Sequence, residues 1–275
     1  LTVWTYTVNE IDTAHALYEL GVDAVITDDY PRLQPLLDPR VAIVDDQRPL
    51  LLALDLGSTS TKAALVCPTR GIVARATTPT PLQHVGDFVE HDPRACLSAA
   101  QSVLATLASR VTQVPAALGI AAQRSTGLWV DRFDAPLTAA PSWRDPRGAE
   151  CITALAAERA AIESAAGFPL ATAWTAVKAH ALRPRPLDSD RLVPLGAWIA
   201  AQLCGTEVSV DPTLANRMYL VDDTTLQWSA LLLASFGLLP SQLPHCIPSV
   251  GNHGAFSWAT GDAIRWTALI GDQQA

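Results

Sequence analysis

The sequence predicts an α/β protein in two unequal units. Three consecutive apolar strands with short turns begin at Leu50, an amphipathic helix opens at Asp92, and residues 147–240 read as mostly helical beyond two further short strands. A shorter strand, helix, strand pattern fills residues 1–38. In that first unit Val3 to Val8 is rich in β-branched and aromatic residues. Asn9 to Asp12 can start a helix with a face at Ala14, Leu17, Tyr18 and Leu20, Gly21 ends it, and Val22 to Thr27 is a second strand. Two strands and a helix cannot bury a core alone, so this unit belongs to a larger domain or packs on the rest of the chain.

The stretch Pro31 to Pro49 reads as a linker, giving a division into 1–38, a linker at 39–49, and 50–275. Leu50 to Leu56, Thr61 to Val66 and Ile72 to Thr77 form an antiparallel meander, joined by Gly57-Ser58-Thr59-Ser60 and by Thr69-Arg70-Gly71. Residues 79–91 read as a loop. Asp92-Pro93 pairs an N-cap with a first-turn proline, and Leu97, Ala100, Val103, Leu104, Leu107 and Val111 follow at helical spacing. Ala117 to Ala121 and Leu128 to Val130 are short strands.

The chain has 275 residues and a formal charge of −8; 49% of residues are apolar and 17% charged, as in a soluble globular protein. A net acidic chain without a Lys/Arg cluster offers no electrostatic basis for nucleic-acid binding. No apolar run reaches the roughly 18 residues of a membrane span. Five scattered cysteines without CxxC spacing suggest neither zinc nor a disulfide framework, and buried reduced thiols in a cytoplasmic setting are the expectation. His84, His91, His180 and His253 read as surface or loop residues, and Arg183-Pro184-Arg185-Pro186 with Asp188 and Asp190 as a solvated loop. Starting at Leu1 with Met218 its single methionine, the chain reads as a piece of a longer polypeptide.

The strongest local signal is Leu54-Asp55-Leu56-Gly57-Ser58-Thr59-Ser60-Thr61-Lys62. A carboxylate closes one strand, and a glycine turn loaded with hydroxyls opens the next. Such a turn can aim N–H and O–H donors at a phosphate, and Asp55 can hold Mg²⁺ through its waters. An ordinary hairpin is the competing reading. No Walker or GxGxxG pattern is present.

Residues 50–275 resemble the N-terminal half of the FGGY carbohydrate-kinase family, which includes glycerol kinases and xylulokinases. The resemblance rests on consecutive landmarks: Asp55 to Ser60 with Lys62; Val89-Glu90-His91-Asp92-Pro93; Leu118 to Arg124; Trp143-Arg144-Asp145-Pro146-Arg147; Lys178; Asp211 with Ala215; Trp228; Leu243-Pro244; and Gly271-Asp272-Gln273-Gln274-Ala275. It implies an actin-like (ribonuclease H-like) domain that binds substrate, a second domain supplying most of the nucleotide site, and ATP and Mg²⁺ as cofactors. By resemblance, Asp272 is the catalytic base. Asp55 organises the metal, and Gly57, Ser58 and Thr59 face the transferred phosphate. Arg124, Ser125, Trp143, Asp272 and Gln273 bind a small sugar or polyol.

Two departures stand out. Glycerol kinases carry Gln-Arg-Glu where this chain has Gln123-Arg124-Ser125, and a Tyr five residues before the Lys matching Lys178, where this chain has Ala173. Both shorten a side chain and leave room for a substrate larger than glycerol. The first unit has a shorter resemblance. Thr7-Val8-Asn9 and Leu20 to Asp28 resemble the last strand–helix–strand of a glycerophosphodiester phosphodiesterase, a TIM barrel, with Tyr6 where that family has Trp. This implies a fusion of phosphodiesterase and kinase. Alternatives are a polyol-binding or regulatory domain without catalysis, or a chain whose main activity is the phosphodiesterase. A homo-oligomer stays open.

Overall fold

The computed structural model describes residues 4–6, 13, 24–26, 49–111, 113–183 and 186–275. Strands β1 (Trp4–Tyr6) and β2 (Ala24–Ile26) pair in parallel, Trp4 with Ala24 through Tyr6 with Ile26. Most of the helix expected between them, and most of the linker, lie outside the described residues. Within those residues no further strand of a barrel accompanies the pair.

From residue 51 the meander forms as expected: β3 (Leu51–Leu56), β4 (Ser60–Cys67) and β5 (Gly71–Pro79) pair antiparallel. Residues 79–91 differ from the loop reading. They form a hairpin of β6 (Gln83–Val85) and β7 (Phe88–His91), because Gly86 takes φ +62° and closes a two-residue turn with Asp87. Helix α1 (Pro93–Ala108) comes next, with Asp92 accepting from the N–H groups of Arg94 and Ala95. It stops one turn short of Val111. Strands β8 (Ala117–Ala122), β9 (Gly127–Val130) and β10 (Ala140–Pro141) complete this stretch.

The region read as mostly helical is a series of short helices with strands between them. These are α2 (Ala149–Ala154), α3 (Arg159–Ala166), α4 (Thr175–Leu182), β11 (Arg191–Pro194), α5 (Leu195–Cys204), β12 (Ser209–Val210), α6 (Pro212–Asn216) and α7 (Ala230–Ser235). Strand β11 pairs with β9, so the apolar run after Arg191 is half strand, half helix. The chain closes with β13 (His245–Cys246), β14 (Val250–Ser257) and β15 (Ala263–Gly271).

One six-stranded sheet organises the domain, in the order β14-β15-β8-β3-β4-β5. Strands β3, β8 and β15 run parallel at its centre. Alternation along β3 and β4 buries Leu52, Leu54, Leu56, Ala63 and Leu65 against Cys96, Ala100, Val103, Leu104 and Leu107 of α1 and Trp198 of α5. A second cluster, around Trp129, Ile162, Val177, Tyr219 and Leu232, holds the short helices together. Because parallel strands carry their functional loops at their carboxyl ends, the termini of β3, β8 and β15 are where chemistry is expected.

Some expectations about single residues change. His91 is buried, not a surface residue: its Nδ1 lies 2.7 Å from the carbonyl of Pro81, and burial holds its pKa below the usual histidine value. Asp190 is also buried, pairs with Arg183 and accepts the Leu187 N–H, so it is not part of a solvated surface. Of the cysteines, Cys67 and Cys96 are buried, Cys151 and Cys204 half-buried, and Cys246 exposed.

Candidate active site

Three strand ends converge on one cleft. At the first, β3 delivers Asp55 and the chain turns through Gly57, Ser58 and Thr59. A Cβ on Gly57 would lie 2.8 Å from the carbonyl oxygen of Ser60, so the turn closes only around glycine. Thr80 holds it, its hydroxyl donating to the Gly57 carbonyl at 2.8 Å and its N–H to the Thr59 carbonyl at 3.0 Å. Asp55 Oδ2 accepts from Lys62 Nζ of β4 at 3.0 Å, an exposed pair.

At the second end, β8 runs into Gln123-Arg124-Ser125. The Gln123 N–H donates to Leu56 O at 2.9 Å, which stitches this loop to β3. Ser125 takes φ +60°, a left-handed conformation that a small polar side chain tolerates. At the third end, β15 delivers Asp272, whose N–H donates to Ala122 O at 2.9 Å. Arg124, with a side chain only 10% exposed, then reaches across the gap. Its Nε lies 3.5 Å from Asp272 Oδ1, and an Nη donates to Gln273 Oε1.

The end of β15 is braced from behind. Buried Asp211 caps α6 by accepting from the N–H groups of Thr213 and Leu214, and accepts the hydroxyls of Thr213 and Ser249, both at 2.8 Å. The Thr213 hydroxyl in turn accepts the Gly271 N–H at 2.7 Å. One carboxylate therefore fixes the residue before Asp272.

These ends line two adjoining cavities. One, of about 440 Å³, is bounded by Asp55, Gly57, Ser58, Thr59, Ser60, Lys62 and Asp272. The other, of about 350 Å³, is lined by Ser58, Gln123, Arg124, Ser125, Trp143, Ala173, Trp174, Arg217, Asp272 and Gln273. Every site residue expected from the sequence lines one of the two. Ser58 and Asp272 line both.

The second cavity's walls come from distant segments. Trp143 is 48% exposed, with the Arg144 guanidinium 5.4 Å from its ring centre. The loop carrying it is anchored by buried Asp145, which accepts from the Val89 N–H and from Arg147, while Arg147 also donates to Glu90. Those charge-assisted bonds hold the Asp145 carboxyl below its usual pKa against the opposing effect of burial. Trp174 stacks on Tyr219, ring centres 5.8 Å apart, and Phe168 packs edge-on against both. Lys178, 1% exposed, donates to the carbonyls of Ser142 at 2.8 Å and Ala173 at 3.0 Å, the residues just before the two tryptophans. Burial pushes its pKa down to about 8; Asp145 opposes that shift and Arg147 adds to it.

Sequence reasoning missed Arg217 and did not assign Trp174 or Lys178 to the site. The signal that could have found Arg217 is its place two residues after the landmark pair Asp211 and Ala215. A larger cavity of about 890 Å³, bounded by residues such as Phe88, Cys151, His180 and Phe236, contains none of the expected site residues.

The oxygen donors around Asp55 suit Mg²⁺, which binds through one or two carboxylates, phosphate and water rather than an all-protein cage. Asp55, with Ser58 and Thr59 beside it, would hold the ion.

Residues 50–261 match the model of the FGGY family of carbohydrate kinases, N-terminal domain. The chain belongs to this family. Among its relatives, a glycerol kinase of Rhizorhabdus wittichii is 31% identical over 206 residues, covering 68% of this chain and 40% of the relative. A glycerol kinase of Rhodospirillum centenum is 30% identical over 246 residues, covering 83% and 49%. Among solved structures, Plasmodium falciparum glycerol kinase with ADP superposes with a TM-score of 0.76 at 24% identity, over 82% of this chain and 49% of that one. The xylulose kinase of Rhodospirillum rubrum gives 0.74 at 23%, over 82% and 49%. The FGGY chain thus spans about half the length, or less, of the relatives it matches. Among the described residues no helix is long and apolar enough to cross a membrane.

Proposed function

We propose that residues 50–275 form the substrate-binding half of a kinase that moves the γ-phosphoryl group of ATP onto a hydroxyl of a small polyol or sugar. The observation that carries this reading is the shared wall: Ser58 and Asp272 line both the hydroxyl-rich cavity and the tryptophan-lined one. A phosphate in the first cavity and an alcohol in the second would meet at Asp272.

In this reading the tryptophans pack against carbon, Arg124 donates to hydroxyls, and Gln273 donates to or accepts from them. The substrate oxygen attacks the γ-phosphorus, Asp272 takes its proton, and the bond to the bridging oxygen breaks to release ADP. Mg²⁺, when bound near Asp55, neutralises phosphate charge. As the family resemblance implies, a second, ATP-binding domain would supply most of the surface for adenine and ribose. Closure of the two halves would exclude water.

For residues 1–38 a second reading, the end of a phosphodiesterase-like barrel, rests on the sequence resemblance alone, since a parallel pair such as β1 and β2 is common to many α/β folds. A fused phosphodiesterase would release an alcohol close to a kinase that phosphorylates one. The test of the main reading is polyol-dependent ADP release by the full-length polypeptide, set beside residues 1–275 alone. Turnover is expected only with the nucleotide half present. Absence of polyol-dependent ADP release from the full-length protein overturns the proposal in favour of a binding or regulatory domain.

A further inference from the structure

The substrate cavity holds two guanidinium groups and a single carboxylate. Arg124 and Asp272 face each other across it, with Gln273 as Arg124's second partner. Arg217 is different. It lies at the end of α6 with its guanidinium 4.7 Å from the Phe168 ring centre and 5.4 Å from that of Trp174. Among the described residues its side chain has no ion pair and no hydrogen bond.

That aromatic floor is rigid. Trp174 Nε1 donates to Pro169 O at 2.9 Å, the Tyr219 hydroxyl donates to Phe168 O at 2.8 Å, and the stacked rings of Trp174 and Tyr219 are nearly parallel, 3° apart. A cation–π contact holds a guanidinium against a ring without consuming its N–H donors. Burial and the Arg124 charge both disfavour a proton on Arg217, so two cations share this space at a cost that an anion would relieve. A neutral polyol supplies no such charge.

No second carboxylate lines the cavity to offset it. Ser125 and Ala173, which line the same cavity, carry no charge. The five N–H donors of an arginine match an oxyanion in a planar fork, and such charge-assisted bonds are roughly twice as strong as neutral ones.

We propose that the cavity selects a substrate bearing an anionic end group, a carboxylate held by Arg217, with the hydroxyl to be phosphorylated at Asp272: an aldonic or other polyhydroxy acid rather than a neutral polyol. This rests on the kinase reading and narrows its substrate class. The recognised chemistry is an oxyanion, which a phosphorylated polyol could also supply.

The test uses the full-length kinase and length-matched substrates: glycerol against glycerate, erythritol against erythronate, xylitol against xylonate, with erythritol 4-phosphate as a phosphate arm. Expected is a kcat/KM for each acid at least about tenfold above its neutral partner, an advantage of about 1.4 kcal/mol. In Arg217→Met the acid should lose at least about tenfold more than the neutral partner, while Arg217→Lys, which keeps the charge, should retain part of the preference. Neutral partners used as well as the acids, or both classes falling equally in Arg217→Met, overturn the proposal. A preference for erythritol 4-phosphate over erythronate overturns the carboxylate assignment. Quenching of tryptophan fluorescence by erythronate separates the two readings. Saturable quenching that Arg217→Met abolishes, without ADP release from any substrate, supports the anion site and overturns the kinase. Turnover without charge preference does the reverse.

Discussion

A Cβ on Gly271 would lie 2.5 Å from Cδ of Arg124 and 3.0 Å from its Cγ. The last residue of β15 is therefore glycine because the arginine stem crosses directly over it to reach Asp272 and Gln273. The clash is with the middle of the side chain, which cannot move aside without moving the guanidinium. Gly271→Ala should displace Arg124 and raise KM for the alcohol substrate at least severalfold. Overpacking of this kind costs about 1–3 kcal/mol of stability, to be measured as a denaturant midpoint shift. A variant with unchanged KM and midpoint would show that Arg124 is free to relocate.

Asp272 stands between the two cavities, and its backbone is fixed twice, through its own N–H to Ala122 and through the Asp211–Thr213–Gly271 relay. In the full-length enzyme Asp272→Asn should keep this backbone geometry while removing the proton acceptor. The expected loss in kcat is at least about 100-fold with little change in substrate Kd, in line with general-base contributions. Retention of more than about a tenth of the activity would mean that another group accepts the proton.

Much of this cleft was legible because its first wall is contiguous in sequence. Asp55, Gly57 and Ser58 sit in one hairpin turn, where a strand-ending carboxylate and a glycine between hydroxyls are visible together. Asp272 is more than 200 residues further on, and only the order of the family landmarks connected it to that turn. The meander and α1 followed from alternation, helical spacing and the Asp92-Pro93 cap. The β6–β7 hairpin was missed because strands of three and four residues carry too little pattern to stand out, and β11 because an apolar run reads alike as strand or helix. Arg217 and Lys178 escaped for a different reason. Their roles depend on which backbone segments the helices bring beside them, and a lone arginine or lysine in sequence does not reveal an aromatic floor or a pair of buried carbonyls.

The size of the second cavity depends on Ala173. With Ser125 it leaves about 350 Å³ between Trp143, Trp174 and Arg217. The full-length kinase should therefore use four- and five-carbon substrates at least as well as glycerol, and a panel of kcat/KM values measures this directly. A preference for glycerol above about 100-fold, roughly 2.7 kcal/mol, would sink the idea. Ala173→Tyr should then shift selectivity toward three-carbon substrates by at least about tenfold, since the ring would occupy the space a longer chain needs.

Lys178 makes the walls of that cavity sensitive to pH. Its ammonium is buried against the carbonyls of Ser142 and Ala173, and burial lowers its pKa to about 8 from 10.5. The unfolded chain therefore binds the proton more tightly than the folded one between these values. Stability should rise with pH across that window and gain nothing further above it. A neutral amine still has two N–H groups for the two carbonyls, so deprotonation removes the cost of the buried charge without breaking either bond. Unfolding free energies of the wild type and Lys178→Met, measured from pH 7 to 10.5, should diverge in favour of the wild type by up to roughly 3 kcal/mol, other titrating groups cancelling in the difference. At every pH the variant leaves the Ala173 carbonyl without its donor, at about 1–3 kcal/mol, while the Ser142 carbonyl keeps the Asp145 N–H, and it loosens the segments that carry Trp143 and Trp174. Its KM for substrate should therefore rise more than its kcat falls. A difference in stability that stays flat across the window would mean that Lys178 keeps an ordinary pKa and that its charge is compensated in the fold.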